Sequence, residues 1–504
     1  MHDLLLREVR IVPLDPTDGP DPGPTDVLIL DGAVARVGPR TEARKGIPEV
    51  EGAGRWALPG LWDHHVHATQ WGLTRSRLDT SAATSVAHAQ DLVRRALTDG
   101  PVPATGVLVA FGHRTATWAE QPTVADLDAV TTAVPLVLIS GDAHHGWLNT
   151  PALRLLGAPA TLGVVEEWEW FPVYDRLSAL PGAREVAEVG VARALREAQQ
   201  RGVVGVTDLE FGRPWEQWRQ REDRGMPHVR ARVGVYPDGL EEVVRSGLRT
   251  GDPLVGARGL VTMGPFKVIS DGSLSTRTAW CCEPYADGAQ LPLPHGAANL
   301  GADDLAALVG LAHDAGIRSA VHAIGDAAVR QALEVFEATG AEGGIEHAQL
   351  VALEDLELWS RLPVRASVQP AHLLDDRPAT EQCWPDRAGR TFALRAFLDR
   401  GIEVVLGSDA PVSRLDPWLA AAAAVHRGPV DEASWHPEQA ITPREALACS
   451  VDGQRLAPGA RGDVVLVDED PLAGHDLTSG EQAARLRATT VSVTVVDGQV
   501  VHGG

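Results

Sequence analysis

The sequence predicts an α/β fold: a TIM (β/α)8 barrel with a small β-sandwich built from both chain ends and a large insertion after the first barrel strand. Three observations predict it. Short apolar runs alternate with helical patterns through the middle of the chain. The two ends carry similar β-branched runs broken by Asp-Gly turns. The length, 504 residues, exceeds what one hydrophobic core normally spans, so a smaller second domain is expected.

The end segments come first. Residues 26–38 (TDVLILDGAVARV) and 461–502 (GDVVLVDEDPL, then VSVTVVDGQVV) read as hairpins that pair with each other and bring the termini together. The Pro/Gly/Asp-rich stretch 14–24 is expected to be a surface loop. The small domain therefore takes residues 1–56 and 455–504, and the barrel takes 57–454. Its strands are predicted at 57–62, 203–208, 229–235, 264–270, 318–324, 344–348, 365–369 and 402–408. Fully apolar runs between helices indicate a parallel sheet covered on its outer face. Helices are predicted at 184–200, 303–315 and 326–338, the last behind a capping Asp326. The runs VLVAFG (107–112) and PLVLIS (135–140) are assigned to an insertion spanning about 70–185.

Composition excludes several classes. With 45 basic against 68 acidic residues the chain carries −23, a surface that repels phosphate backbones, so nucleic acid is not an expected partner. The start has no apolar stretch long enough for a signal peptide, and WLAAAAAV (418–425) is far short of a membrane span. Four cysteines, two of them adjacent (Cys281, Cys282), make no disulfide framework, and a reducing cytoplasm fits. Only Lys45 and Lys267 are lysines among the 45 basic residues, and Lys267 lies inside the apolar GPFKVIS. Tryptophan, 14 against 7 Phe and 3 Tyr, weakly favours an aromatic or apolar substrate.

The first strand ends in PGLWDHHVH. Residues two apart on a strand face the same way, so His65 and His67 share a side and His64 faces the other. Alone this says little, because with 18 histidines an H-x-H triplet arises by chance about 0.6 times. The other strand ends give it weight. Lys267 sits in strand four, His322 in strand five, His347 in strand six and Asp409 at the end of strand eight. Each is titratable and embedded in an apolar run, where an unpaired charge is costly. The C-terminal strand ends of such a barrel converge on one mouth, which brings all six groups together.

PGLWDHHVH, FKVISDGSLSTRTA, VHAIGDAAV, IEHAQ and VVLGSDAPV resemble the successive signatures of the amidohydrolase superfamily, and more narrowly its amidohydrolase-3 branch, similar to N-substituted formamide deformylases. SGDAHHGWLNTPAL (140–153) resembles that branch's D-G-H-x-x-W-x-N segment. The resemblance implies a metal-dependent hydrolase acting on carbon–nitrogen bonds other than peptide bonds, with two divalent ions. His65 and His67 would hold the first ion and His322 and His347 the second. Lys267, carboxylated, would bridge them, and Asp409 would ligate the first and serve as base. Imidazole and carboxylate suit zinc. An ammonium would be repelled beside two dications, whereas a carbamate is an anionic ligand. Arginine cannot form one, which accounts for a lysine here.

His144, Trp147 and His372 are the candidates for substrate contacts, core packing being the competing account of Trp147. Asp63 and His64 read as supporting or loop residues, and EEWEW (166–170) as either a cap over the mouth or an amphipathic strand. The sequence departs from the branch at Gly343 and Gly344, where an Arg-His pair is usual, at Ala143 and the extra His145, and after TPREALACS. Two other readings stay open. A mononuclear deaminase of a nucleobase or aminated ring would keep one metal and lack the lysine. A catalytically silent, metal-stabilised binding protein would have no reason to keep Asp409. A small molecule is the expected partner, and a homodimer the expectation for such a barrel.

Overall fold

A computed structural model describes the chain except residues 1, 16, 18–22, 40, 42–45, 101–104, 114, 116–117, 142–144, 255–258, 475 and 504. The expected loop at 14–24 falls partly outside the described residues. Two compact units result, one of residues 1–67 with 195–504 and one of residues 68–194.

In the first unit, strands from both chain ends join in one sheet. Val464–Val467 runs antiparallel to Trp56–Pro59, which lies parallel to the end of Leu4–Ile11. The turns at Asp31-Gly32 and Asp497-Gly498 have positive φ at both residues (51° and 75°, 52° and 77°), the backbone that lets a two-residue loop follow the twist of its strands. Alternation puts Leu4, Leu6, Val27, Ile29, Val464, Leu466, Val493 and Val495 into one shared core.

The barrel follows. Leu61–Val66, Val203–Asp208, Arg230–Val235, Val261–Ile269, Ser319–Ala323, Gly343–His347, Val364–Val368 and Val404–Leu406 form an all-parallel eight-stranded sheet in that order. The last strand returns to the first: Asp409 N donates to His65 O at 2.7 Å and His67 N to Ala410 O at 2.8 Å. Gly407 makes this closure possible, since a Cβ there would lie 2.8 Å from His65 N.

Three expectations are corrected. The predicted strand 57–62 is two strands divided at Gly60. Gly60 N donates to Asp463 O in the end sheet, while Leu61 N donates to Gly202 O in the barrel. Uniform hydrophobicity hides this change of partner. Asp326 does not cap its helix; Gly325 is the N-cap, and the Asp326 carboxylate accepts from Cys282 N at 2.8 Å. EEWEW is not a strand, because the helix Glu167–Ser178 begins within it.

The second unit holds a five-stranded sheet in the order Val165–Glu166, His145–Leu148, Leu136–Ser140, Leu108–His113, Leu78–Asp79. Apolar clusters line both faces, one around Trp118 and Trp147 and the other around Trp170. No helix among the described residues is long and apolar enough to cross a membrane.

Candidate metal centre

The C-terminal ends of the barrel strands bring His65, His67, His347, His372 and Asp409 together. The side-chain ligand atoms of His65, His67 and Asp409 all lie within 4.8 Å of one another, and so do those of His347, His372 and Asp409. Asp409 is common to both groups. Its Oδ1 stands 3.3 Å from His67 Nε2 and 3.5 Å from His65 Nε2, and its Oδ2 stands 4.0 Å from His372 Nε2. His322 is in neither group, but its ring meets that of His347 edge-on at 4.6 Å.

Backbone conformation makes the convergence possible. Strand alternation would send Glu346 and His347 to opposite faces. His347 instead has φ 72° and Ala348 φ 44°, and both Glu346 and His347 reach the centre. Asp409 has φ 56°. Side chains other than glycine rarely adopt this left-handed region, and where they do the strain is characteristic of functional sites.

Carboxylates behind the histidines fix their tautomers. Glu346 Oε2 accepts from His65 Nδ1 at 2.7 Å, so His65 Nε2 presents its lone pair toward Asp409. Burial and Lys267 hold the His65 imidazole down to about 4, so it is neutral at working pH. Burial would raise Glu346, but His65 and Lys267 override it and hold the carboxyl down at about 2. Asp271 supports the other side. It accepts from His322 Nδ1 at 3.1 Å and from the backbone N–H groups of Ile324, Gly325 and Trp280. These contacts account for the buried Asp271 carboxylate. Asp63 Oδ1 accepts from both His65 N and Ser408 N at 3.0 Å, tying the first strand to the last.

Asp409 and Lys267 are both buried in this cluster, with 8% and 1% of their surfaces exposed. Burial alone would raise the Asp409 carboxyl, yet the cluster of imidazoles facing it, above all His67, which hydrogen-bonds to it, holds it well below the usual carboxylate range. The same interaction, against burial, raises His67. Burial pushes the Lys267 amine below the ordinary lysine range, opposed by Glu346 and Asp409.

The donor set fits a divalent metal. Neutral imidazoles and one carboxylate are the ligands that zinc and similar ions take. Among the described residues the buried His372 Nε2 has no hydrogen-bond partner, which leaves its lone pair or proton for a ligand. Of the substrate candidates, His372 stands at this centre, stacked on His347 at 6.3 Å. Trp147 does not offer itself to a ligand. It is fully buried in the core of the second unit, with Nε1 donating to Thr123 O at 2.7 Å, so packing accounts for it. His144 lies outside the described residues.

Glu346, Asp271 and Asp63 are the site residues that sequence reasoning missed or left unassigned. The signal was present, since each stands one to four residues from a metal candidate in a buried run. A prediction follows for Glu346. Glu346→Ala leaves His65 Nδ1 without its acceptor, and metal affinity should fall about 10–100-fold while the fold persists. Competition with a chelator measures it. Because the folded carboxyl titrates near 2 rather than 4.5, its share of stability is complete above about pH 4.5 and disappears as pH falls toward 2.

The family model described as "Amidohydrolase family" matches residues 49–502. The putative amidohydrolase YtcJ of Bacillus subtilis is 25% identical, covering 94% of this chain and 95% of that protein. N-substituted formamide deformylase of Arthrobacter pascens is 23% identical, over 99% of this chain and 98% of its own. Among solved structures, an uncharacterized metal-dependent hydrolase from Pyrococcus horikoshii superposes with a TM-score of 0.81 at 25% identity, covering 94% of this chain and 98% of that one.

Proposed function

This chain belongs to the amidohydrolase family, and we propose that it uses two divalent ions, zinc first among them, to hydrolyse a small-molecule C–N bond, that of an amide, N-formyl or N-acyl group. The observation that carries the two-ion reading is Asp409 standing between ligand atoms on two sides, those of His65 with His67 and that of His347. His322 would complete the second group and a carboxylated Lys267 would bridge the two. The relative from Arthrobacter pascens, by its name a deformylase of N-substituted formamides, supports formyl as one acyl group. The charge of −23 supports a small molecule, not a nucleic acid, as partner.

When bound, the ions polarise the substrate carbonyl and make water more acidic. The rest falls to the side chains. Asp409, ionised, accepts the proton from the attacking water at a carboxylate oxygen. It then gives that proton to the leaving nitrogen, so an amine departs neutral. His372, 4.0 Å from the same carboxylate, is placed to donate to the developing oxyanion. Glu346 and Asp271 keep the proton on Nδ1 of His65 and His322, so both rings stay oriented.

Elemental analysis tests this reading. Purified protein should carry close to two divalent ions per chain, and His65→Ala or His67→Ala should remove at least one and abolish hydrolysis. The competing one-ion reading, a deaminase, draws on the tighter geometry of His65, His67 and Asp409 alone. A single ion in fully active protein would decide for it.

A further inference from the structure

Phe211 lies three residues beyond the second barrel strand and exposes 49% of its surface. Scattered exposed apolar side chains are ordinary, so exposure by itself says little. Its surroundings set this one apart. Among the described residues it is the aromatic one of the exposed large hydrophobics. One side stacks on the His67 imidazole at 5.5 Å with 19° between the planes. Tyr236 packs against it at 4.7 Å, and the Tyr236 hydroxyl donates to Leu209 O at 3.1 Å, so that neighbour is itself held. Phe211 N donates to Glu210 Oε1 at 3.0 Å, which fixes the backbone.

The ring is therefore positioned, half open, against a candidate metal ligand at the barrel mouth. Val412 adds a second apolar surface and is 68% exposed. Its N–H donates to Asp409 O at 2.8 Å, and two residues earlier Ala410 O accepts from His67 N. Phe211 therefore lies against His67 just beyond strand two, and Val412 follows Asp409 three residues on, beyond strand eight. A substrate whose reacting carbon sits at Asp409 brings its substituents to this rim. Open aromatic and branched aliphatic surfaces beside that position gain from covering by an apolar group, through water release and ring stacking. A charged or strongly hydrated substituent gains nothing there.

We propose that Phe211 and Val412 form the seat for the substrate's side group, so that the enzyme prefers amides bearing an aromatic ring or a bulky alkyl chain. This rests on the hydrolase reading above, and the test separates the two. The metal-loaded wild type and Phe211→Ala are compared by calorimetry for phenylacetate against acetate and for phenethylamine against ethylamine. They are also compared in turnover of phenylacetamide against acetamide and of N-phenethylformamide against N-ethylformamide.

The wild type should bind at least one ring-bearing probe at least tenfold tighter than its small partner. Phe211→Ala should remove most of that preference, mainly through KM in turnover, with Phe211→Leu intermediate and metal content unchanged. Ring preference that depends on Phe211 in binding, with no amide hydrolysed, would keep the seat and overturn the hydrolase reading. Hydrolysis with equal affinity for ring-bearing and small probes on both sides would overturn the seat alone. So would a Phe211→Ala variant that loses metal and falls equally in kcat on every substrate, since Phe211 would then merely support His67.

Discussion

Asp409→Asn should lower kcat by at least about 10² while leaving the chain folded and His347 in place, since proton transfer by a positioned carboxylate typically contributes about 10²–10⁴-fold. The substitution keeps the shape and one oxygen but removes the group that takes the proton. The structure makes a specific case for so large an effect. Asp409 is 8% exposed, faces His65, His67 and His372, and is held well below the ordinary carboxylate value. It is therefore ionised across the working range, and lowering the pH removes the base only far into acid. The pH profile should rise on an acidic limb that belongs to the water–Asp409 unit rather than to one residue. Metal analysis and turnover of the same preparation decide the role. Loss of all metal would make Asp409 a ligand before it is a base. Near wild-type turnover with metal retained would shift the proton transfer to His372.

Much of this centre was legible because chemistry and periodicity agree there. A histidine, lysine or aspartate inside a fully apolar run has no cheap structural explanation, and four later strand ends repeated the pattern begun at His65. The other seven barrel strands lie close to the runs that predicted them, while the first begins at Leu61, four residues later than expected. The resemblance in PGLWDHHVH and VVLGSDAPV agrees with the family match over residues 49–502.

What escaped the sequence depends on backbone geometry that periodicity assumes away. Alternation assigns Glu346 to the face opposite His347, and only the left-handed His347 brings both to one centre. The division at Gly60 escaped for a related reason. Hydrophobicity is continuous from Ala57 to Trp62, while the hydrogen-bond partners switch from the end sheet to the barrel between one residue and the next. Trp147 shows the opposite limit. A tryptophan beside a family motif suggests a ligand contact, but its indole is 0% exposed and its N–H is already satisfied. Composition cannot tell a packed ring from a waiting one.

Lys267→Ala should cost as much as loss of a metal ligand, with both metal content and hydrolysis falling severely. Lys267 lies in the fourth strand, paired in register with Ala320, and is 1% exposed between the buried Phe266 and Val268. An ammonium kept there would be far from water and, with cations bound, beside like charge. Burial lowers its pKa, which favours the neutral amine. That is the form able to add carbon dioxide and become a carbamate, an anion that suits two cations. Glu346 and Asp409 oppose this shift in the metal-free protein, so metal binding and carbamate formation should be coupled. Bicarbonate should raise metal uptake by the wild type, and short carboxylates should restore part of the metal and activity of Lys267→Ala. Lys267→Arg keeps a positive charge but cannot form the carbamate, and should stay inactive. Full activity in Lys267→Arg, or electron density that ends at the Lys267 amine in a structure with both ions bound, would refute the bridging role.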